Sequence, residues 1–182
     1  LMDMALAGLG LLALTPLLLA IAAAIRLAGG GPVFFRQVRM GLDCRPFTMF
    51  KFRTMFRDAE KATGPVLTRP DDERVTPLGR FLRRWSLDEL PQLWNVLIGE
   101  MSLVGPRPPL PYELECYAPW HRRRVLEAKP GITGLWQVTG RSRTTFEDMV
   151  RLDLRYARTH SVWTDVKILL ATPRAVFSGK GA

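Results

Sequence analysis

Two adjacent carboxylates, Asp88 and Glu89, stand in the tetrapeptide Ser86-Leu87-Asp88-Glu89. An ionised carboxylate can attack phosphorus as a nucleophile or ligate a divalent cation. The same four residues also read as a capping box. Ser86 would be the N-cap and Glu89 the third helical residue, with Asp88 favoured beside the positive end of the helix. On this tetrapeptide alone the cap is the simpler reading, although both need Asp88 ionised, as a helix N-terminus favours. Pro91, just inside the expected helix, takes from the Leu87 carbonyl its usual amide partner and makes this end irregular.

The cations come next. Arg107 lies between Pro106 and Pro108, so a stiff backbone presents its guanidinium, which suits bidentate capture of phosphate. The alternative is an exposed charge on a polyproline-like loop. Lys51 and Arg53 alternate on one face of an expected strand and either reach a diphosphate or face solvent. Arg122, Arg123 and Arg124 read as a solvated or headgroup-facing run. Other catalytic machinery is missing. There is no GxxxxGK[ST], GxGxxG or HExxH motif. His121 and His160 are the two histidines, and Cys44 and Cys116 have no metal-binding spacing. Two cysteines make no disulfide framework, which points the basic part of the chain to a reducing compartment.

Several elements must position these groups. Residues 33–39 and 47–53 read as a small β-hairpin around a turn at 41–46. A short helix is expected over 55–62, with Gly64-Pro65 as its stop and a polar loop over 68–73. Thr76-Pro77 is a helix start, with Thr76 as N-cap. Leu78, Phe81, Leu82 and Trp85 then form an apolar stripe flanked by Arg80, Arg83 and Arg84. Such a stripe suits a helix lying in a membrane interface, and equally one packed on a core. Further helices are expected over 87–98, with Leu90, Trp94, Leu97 and Ile98 inward, and over 112–128. Another spans 145–160, with a capping box at Thr144-Thr145-Phe146-Glu147. An amphipathic segment over 162–177 is expected to break at Thr172-Pro173.

The first 28 residues differ from all of this. No charge occurs from Met4 to Ile25. As one helix this run is ~33 Å long, enough to match a bilayer core. A cleaved signal peptide fits poorly, for want of a basic start. Pro16 predicts a kink at mid-length, with the Thr15 hydroxyl helping to satisfy a freed carbonyl. A spanning anchor and a helix that dips in and returns both fit. Arg26, Arg36, Arg39, Arg45, Lys51 and Arg53 place the downstream side in the cytoplasm. The formal charge of +9, in a chain of 182 residues, points to phosphate-bearing partners.

Read in order, seven segments carry a family resemblance. They are Gly31-Pro32-Val33-Phe34-Phe35-Arg36-Gln37, Lys51-Phe52-Arg53-Thr54-Met55 and Gly79-Arg80-Phe81-Leu82-Arg83-Arg84. Then come Ser86-Leu87-Asp88-Glu89-Leu90-Pro91-Gln92-Leu93-Trp94-Asn95-Val96 and Met101-Ser102-Leu103-Val104-Gly105-Pro106-Arg107-Pro108. Lys129-Pro130-Gly131-Ile132-Thr133-Gly134 and Trp163-Thr164-Asp165-Val166-Lys167-Ile168-Leu169-Leu170 complete them. Together they resemble the bacterial sugar transferases, the monotopic phosphoglycosyl transferases. Thr15-Pro16 stands where that family has Ser-Pro at the break of a re-entrant helix.

The resemblance implies an α+β, mostly α-helical fold with a re-entrant membrane helix over 1–28. A catalytic domain over 29–182 would carry the small β-hairpin and amphipathic interfacial helices on the cytoplasmic face of the bacterial inner membrane. It implies transfer of a sugar 1-phosphate from a UDP-sugar, of the hexose class, to polyprenyl (undecaprenyl) phosphate in exopolysaccharide or O-antigen assembly. Asp88 would be the nucleophile, with Glu89 as metal ligand or base. Mg²⁺ would be held at Asp88 and Glu89, and Lys51, Arg53, Arg83, Arg107 and Arg141 would contact substrate. Gly140-Arg141-Ser142 with Thr144-Thr145-Phe146 resembles members that use UDP-hexoses. Family members with extra N-terminal membrane helices would account for a chain that begins at Leu1.

Two other classes make different forecasts. A non-catalytic membrane-anchored scaffold with a basic lipid-binding surface releases no UMP, and for it Asp88→Asn costs only a cap. Nucleic-acid binding rests on charge alone and finds no recognition motif.

Overall fold

The computed structural model describes residues 2–57, 59, 72–140 and 144–177. The chain is mostly helical with small β-elements. Helix α1, Met2–Gly29, contains an 18-residue window of mean hydropathy 2.3 that is 11% buried. It runs through Pro16, and the Thr15 hydroxyl donates to the Leu11 carbonyl at 2.8 Å. The freed Leu12 carbonyl is therefore not the one that Thr15 serves.

Both ends of α1 pack on the rest of the molecule. Near its start Ser102 donates to the Asp3 carboxylate, and Ala7 is fully buried with Phe47, Met49, Val96 and Met101. Near its end Ile21 and Ile25 are buried with Phe52 and Leu82. Between them Leu12 and Leu19 are largely exposed.

Strands β1, Phe34–Met40, and β2, Pro46–Phe52, form the expected antiparallel hairpin, with Phe35 opposite Lys51 and Arg39 opposite Phe47. Met55 does not begin a helix. It bridges to Val75 in a short antiparallel pairing. Most of the helix expected over 55–62 lies outside the described residues, as do Gly64-Pro65 and most of the expected loop at 68–73. Helix α2, Pro77–Arg84, starts as read, with the Thr76 hydroxyl accepting from Gly79 N at 2.9 Å. Its apolar stripe is divided: Leu82 is in the core, while Phe81 is half exposed.

The helix expected over 87–98 is instead a turn at Leu87–Glu89 followed by α3, Gln92–Leu97. Trp94 and Ile98 face outward; Gln92, Asn95 and Val96 are buried. Asn95 explains the rotation. Its side chain accepts from Phe50 N at 3.1 Å and donates to Thr48 O at 2.7 Å, binding α3 to the backbone of β2 through bonds a buried amide must make.

The hydrophobic pattern did not reveal a parallel pairing of β3, Ser102–Val104, with β4, Gly131–Thr133. The chain touches itself here: a Cβ on Gly131 would stand 2.0 Å from Gly105 N. The expected helix over 112–128 is two, α4 (Pro111–Glu115) and α5 (Pro119–Glu127), because Pro119 restarts the helix after a break at Cys116 to Ala118. Helix α6 is Leu135–Thr139. Helix α7, Phe146–Thr159, is capped one residue later than read: Thr145 accepts from Asp148 N, so the pair is Thr145 and Asp148. Helix α8, Val162–Phe177, passes through Pro173 unbroken, with the Thr172 hydroxyl bonded to Ile168 O and Thr133 Oγ1.

Candidate active site

The carboxylate pair sits on an irregular turn. Ser86 is in the left-handed region, φ +53°, and its side chain makes no capping hydrogen bond. Its amide donates back to Arg83 O at 3.1 Å, which makes it the residue that closes α2. Because Ser86 serves the end of one helix, it cannot cap the next, and the capping box is not formed. Glu89 N and Leu90 N close single turns onto Ser86 O and Leu87 O, both at 3.3 Å.

Lys51 crosses from β2 to meet Glu89, Nζ to Oε1, at 2.5 Å. Arg83, from the last turn of α2, donates from Nε to the Thr54 hydroxyl at 2.8 Å. Gly79 allows this approach, since a Cβ there would stand 2.0 Å from Thr54 O.

Asp88 is 9% exposed. Burial, and then the charge of Glu89, push its carboxyl up to about 6, while Lys51 and Arg83 pull the other way. A lone turn carries too little aligned dipole to offset that desolvation. The carboxyl therefore stays mainly ionised at neutral pH, but by a narrower margin than a helix N-terminus would give it.

Arg107 is exposed on the proline loop, as expected. A buried cation that bonds to the same loop, through Pro108 O, was not singled out as a site residue from the sequence. Arg39, buried on β1, is lowered to about 10, first by burial and then by the charge of Arg107. Glu113, Tyr112 and Glu89 act on it in the opposite sense, so Arg39 lies within the fields of both Arg107 and Glu89. The alternation of β1 was the available signal.

Arg124 is not the solvated or headgroup-facing residue that its run suggests. It is 1% exposed and pairs with equally buried Asp153 at 2.7 Å, while Arg122 and Arg123 are exposed as read. Arg53 turns to the α1–β1 junction, donating to Gly30 O at 2.7 Å, and its buried Nη1 has no partner. Arg141 lies outside the described residues. Thr15 and Pro16 sit at mid-length of α1.

No group of three or more His, Cys, Asp or Glu side chains converges as a metal cage among the described residues. Mg²⁺ commonly takes one or two carboxylates and completes its shell with phosphate and water oxygens. Asp88 and Glu89 fit such an ion if it arrives with a diphosphate. Beside the turn, Phe81, Trp85, Leu87, Val176 and Phe177 line an open apolar recess of about 400 Å³.

A model of the family described as bacterial sugar transferase matches residues 1–179. The chain is 47% identical over 164 residues to the galactosyl transferase CpsE of Streptococcus agalactiae serotype III, covering 84% of this chain and 36% of that protein. It is 48% identical over 159 residues to the uncharacterized sugar transferase EpsL of Bacillus subtilis, covering 87% and 77%. It is 46% identical over 187 residues to the UDP-glucose:undecaprenyl-phosphate glucose-1-phosphate transferase of Escherichia coli K12, covering 99% and 40%. The chain thus spans well under half of the first and third relatives and about three quarters of the second.

Proposed function

Since the chain belongs to the bacterial sugar transferase family, a family of transferase enzymes, we propose that it moves a sugar 1-phosphate from a UDP-sugar to undecaprenyl phosphate. Relatives named as UDP-glucose:undecaprenyl-phosphate glucose-1-phosphate transferases make UDP-glucose the first donor to test. In this reading an Asp88 oxygen attacks the β-phosphorus of the donor. The bond from that phosphorus to the bridging oxygen breaks, and UMP leaves with the electron pair. A phosphate oxygen of undecaprenyl phosphate then attacks the same phosphorus. Its bond to Asp88 breaks, the carboxylate is restored, and undecaprenyl diphosphosugar departs.

The observation that carries the reading is the Ser86 turn. A strained, uncapped residue delivers a buried carboxylate between two cations, Lys51 and Arg83, and helix capping gives no reason for that arrangement. Phosphoryl transfer asks for positioning and charge neutralisation more than for histidines. Lys51, Arg83 and Arg107 supply that charge. Arg53 and Arg141 are the further substrate contacts proposed. Asp88 and Glu89 would hold Mg²⁺, which when bound neutralises diphosphate charge. The apolar recess beside Leu87 suits the prenyl chain of an acceptor whose phosphate must reach Asp88.

The same reading places the chain on the cytoplasmic face of the inner membrane, with α1 dipping in and returning. Asp3 and Ile25, near its two ends, both pack on one body, as ends that emerge on the same side of a bilayer would. Exposed Phe81, Trp94, Ile98, Trp163 and Leu170 suit an interfacial seat. Thiol labelling of cysteines placed at 2–3 and 27–30 should find both sets shielded from the periplasm. Periplasmic labelling of the first set would restore the spanning anchor.

The chemistry is tested by incubating the protein with UDP-glucose and Mg²⁺ without acceptor. UMP and a hexose-phosphate adduct on intact protein are expected, and peptide mapping should place the adduct on Asp88. Turnover without an adduct would replace the covalent route by direct transfer. An adduct on Glu89 would exchange the roles of the two carboxylates.

A further inference from the structure

The loop that presents Arg107 is held at four consecutive carbonyls. Gly131 N donates to Pro106 O at 2.9 Å and Met40 N to Pro109 O at 2.9 Å. Between them, two buried guanidiniums do the same work. Arg124 Nη2 donates to Arg107 O at 2.8 Å, and Arg39 Nη1 to Pro108 O at 3.1 Å. The loop is fixed along its whole length while the Arg107 side chain stays exposed.

Arg124 is the unusual member. Its guanidinium and the Asp153 carboxylate are both 1% exposed and 2.7 Å apart. The pair is imperfectly satisfied: Arg124 Nε has no partner, and burial raises Asp153 to about 7 in spite of the neighbouring cation. Apolar side chains of similar volume usually hold a core as well as such a pair, so stability alone does not account for it. Among the described residues, the one backbone group to which the Arg124 guanidinium donates is the carbonyl of Arg107.

That carbonyl matters for a geometric reason. Pro106 and Pro108 have fixed φ, and the residue before a proline is confined to extended conformations. The remaining backbone freedom at Arg107 is mainly the rotation of its own peptide plane, which the carbonyl direction reports. A turn of that peptide redirects the Cα–Cβ bond from which the Arg107 side chain departs.

We infer that Arg124, held in place by Asp153, is a positioning residue that aims Arg107 at the phosphate being transferred. The inference rests on the reading of Arg107 as a phosphate ligand. Displacements of about 1 Å in groups that orient a reacting centre cost on the order of 100-fold in rate.

The test is a cycle on the full chain, assayed with UDP-glucose and undecaprenyl phosphate. Its members are Arg107→Ala, the double variant Arg124→Met/Asp153→Leu, and the triple variant that combines them. The double variant keeps an apolar, filled core and should remain folded by circular dichroism and thermal melting. Its kcat should fall on the order of 100-fold, with the KM for UDP-glucose changed far less. The triple variant should be no slower than Arg107→Ala, because the pair acts only through that residue. Should the double variant not fold, Asp153→Asn keeps the shape, and its loss of kcat should likewise vanish in the Arg107→Ala background.

A folded double variant with unchanged kcat overturns the inference, as do losses that multiply in the triple variant. Both outcomes leave Arg107 in the site provided that Arg107→Ala alone is impaired. If Arg107→Ala turns over normally, the reading of Arg107 falls and the inference falls with it.

Discussion

Thr145 and Ser86 are both hydroxyl residues that precede a helical turn and are followed three residues later by a carboxylate, Asp148 and Glu89. At Thr145 the pattern is used for structure. Its hydroxyl accepts from Asp148 N at 3.2 Å and donates to the Asp148 carboxylate at 2.7 Å, and both residues are exposed. At Ser86 the backbone has turned left-handed to finish α2, the hydroxyl makes no cap bond, and Glu89 is drawn to Lys51. One region uses its polar groups to satisfy its own backbone. The other leaves Asp88 buried and surrounded by charge from three elements. A cap-like string is therefore not a cap until the preceding residues leave its first member free to make one.

The largest effect should come from Asp88. Replacing it by Asn keeps shape and hydrogen bonding but removes the attacking oxygen's charge, so UMP release should fall by several orders of magnitude. Stability should move the other way. The native pKa of Asp88, about 6, lies above its ordinary value of 3.8. Its contribution to stability is therefore fully present below about pH 4 and lost as pH rises through about 6. Asp88→Asn should accordingly stabilise the protein at pH 7.5, by about 2–3 kcal/mol, read from denaturant titration. A variant as active as the parent, or one destabilised by a cap's worth of free energy, would make the two regions alike. The wild-type protein adds a kinetic form of the same test. Adduct formation should drop about tenfold per unit of pH below about 6, and a rate flat down to pH 5 would mean that substrate binding has already ionised the carboxyl.

Smaller effects separate the two turns more finely. Thr145→Ala should cost about 1 kcal/mol and leave kcat unchanged. Ser86→Gly should stabilise by about 1 kcal/mol, because glycine accepts φ +53° without the penalty of a Cβ. Equilibrium unfolding of both variants reads the contrast. A loss at Ser86→Gly equal to that at Thr145→Ala would show that the serine caps after all.

The sequence alone determined the features that depend on neighbours along the chain. The apolar run of α1, the β-hairpin, the Thr76-Pro77 start and the stiffness around Arg107 follow from local periodicity, capping and fixed dihedrals. Asp88, Glu89 and Lys51 could be singled out by residue type, because carboxylates and cations are what phosphoryl transfer needs. Tertiary structure decided the rest. The parallel pairing of Gly131–Thr133 with Ser102–Val104 joins segments nearly thirty residues apart, and hydrophobic alternation over three residues carries no signal of it. Asn95 faces inward and Trp94 outward because a β2 backbone amide and carbonyl are waiting for the Asn95 side chain. Arg124 sits in a basic run that reads as solvated, yet it is buried because Asp153, on another helix, faces it. Ser86 ends a helix because α2 reaches it first. In each case the deciding partner is distant in sequence or competes for the same backbone group, and the relative cost of leaving buried polar groups unmade settles the outcome only after the chain has folded.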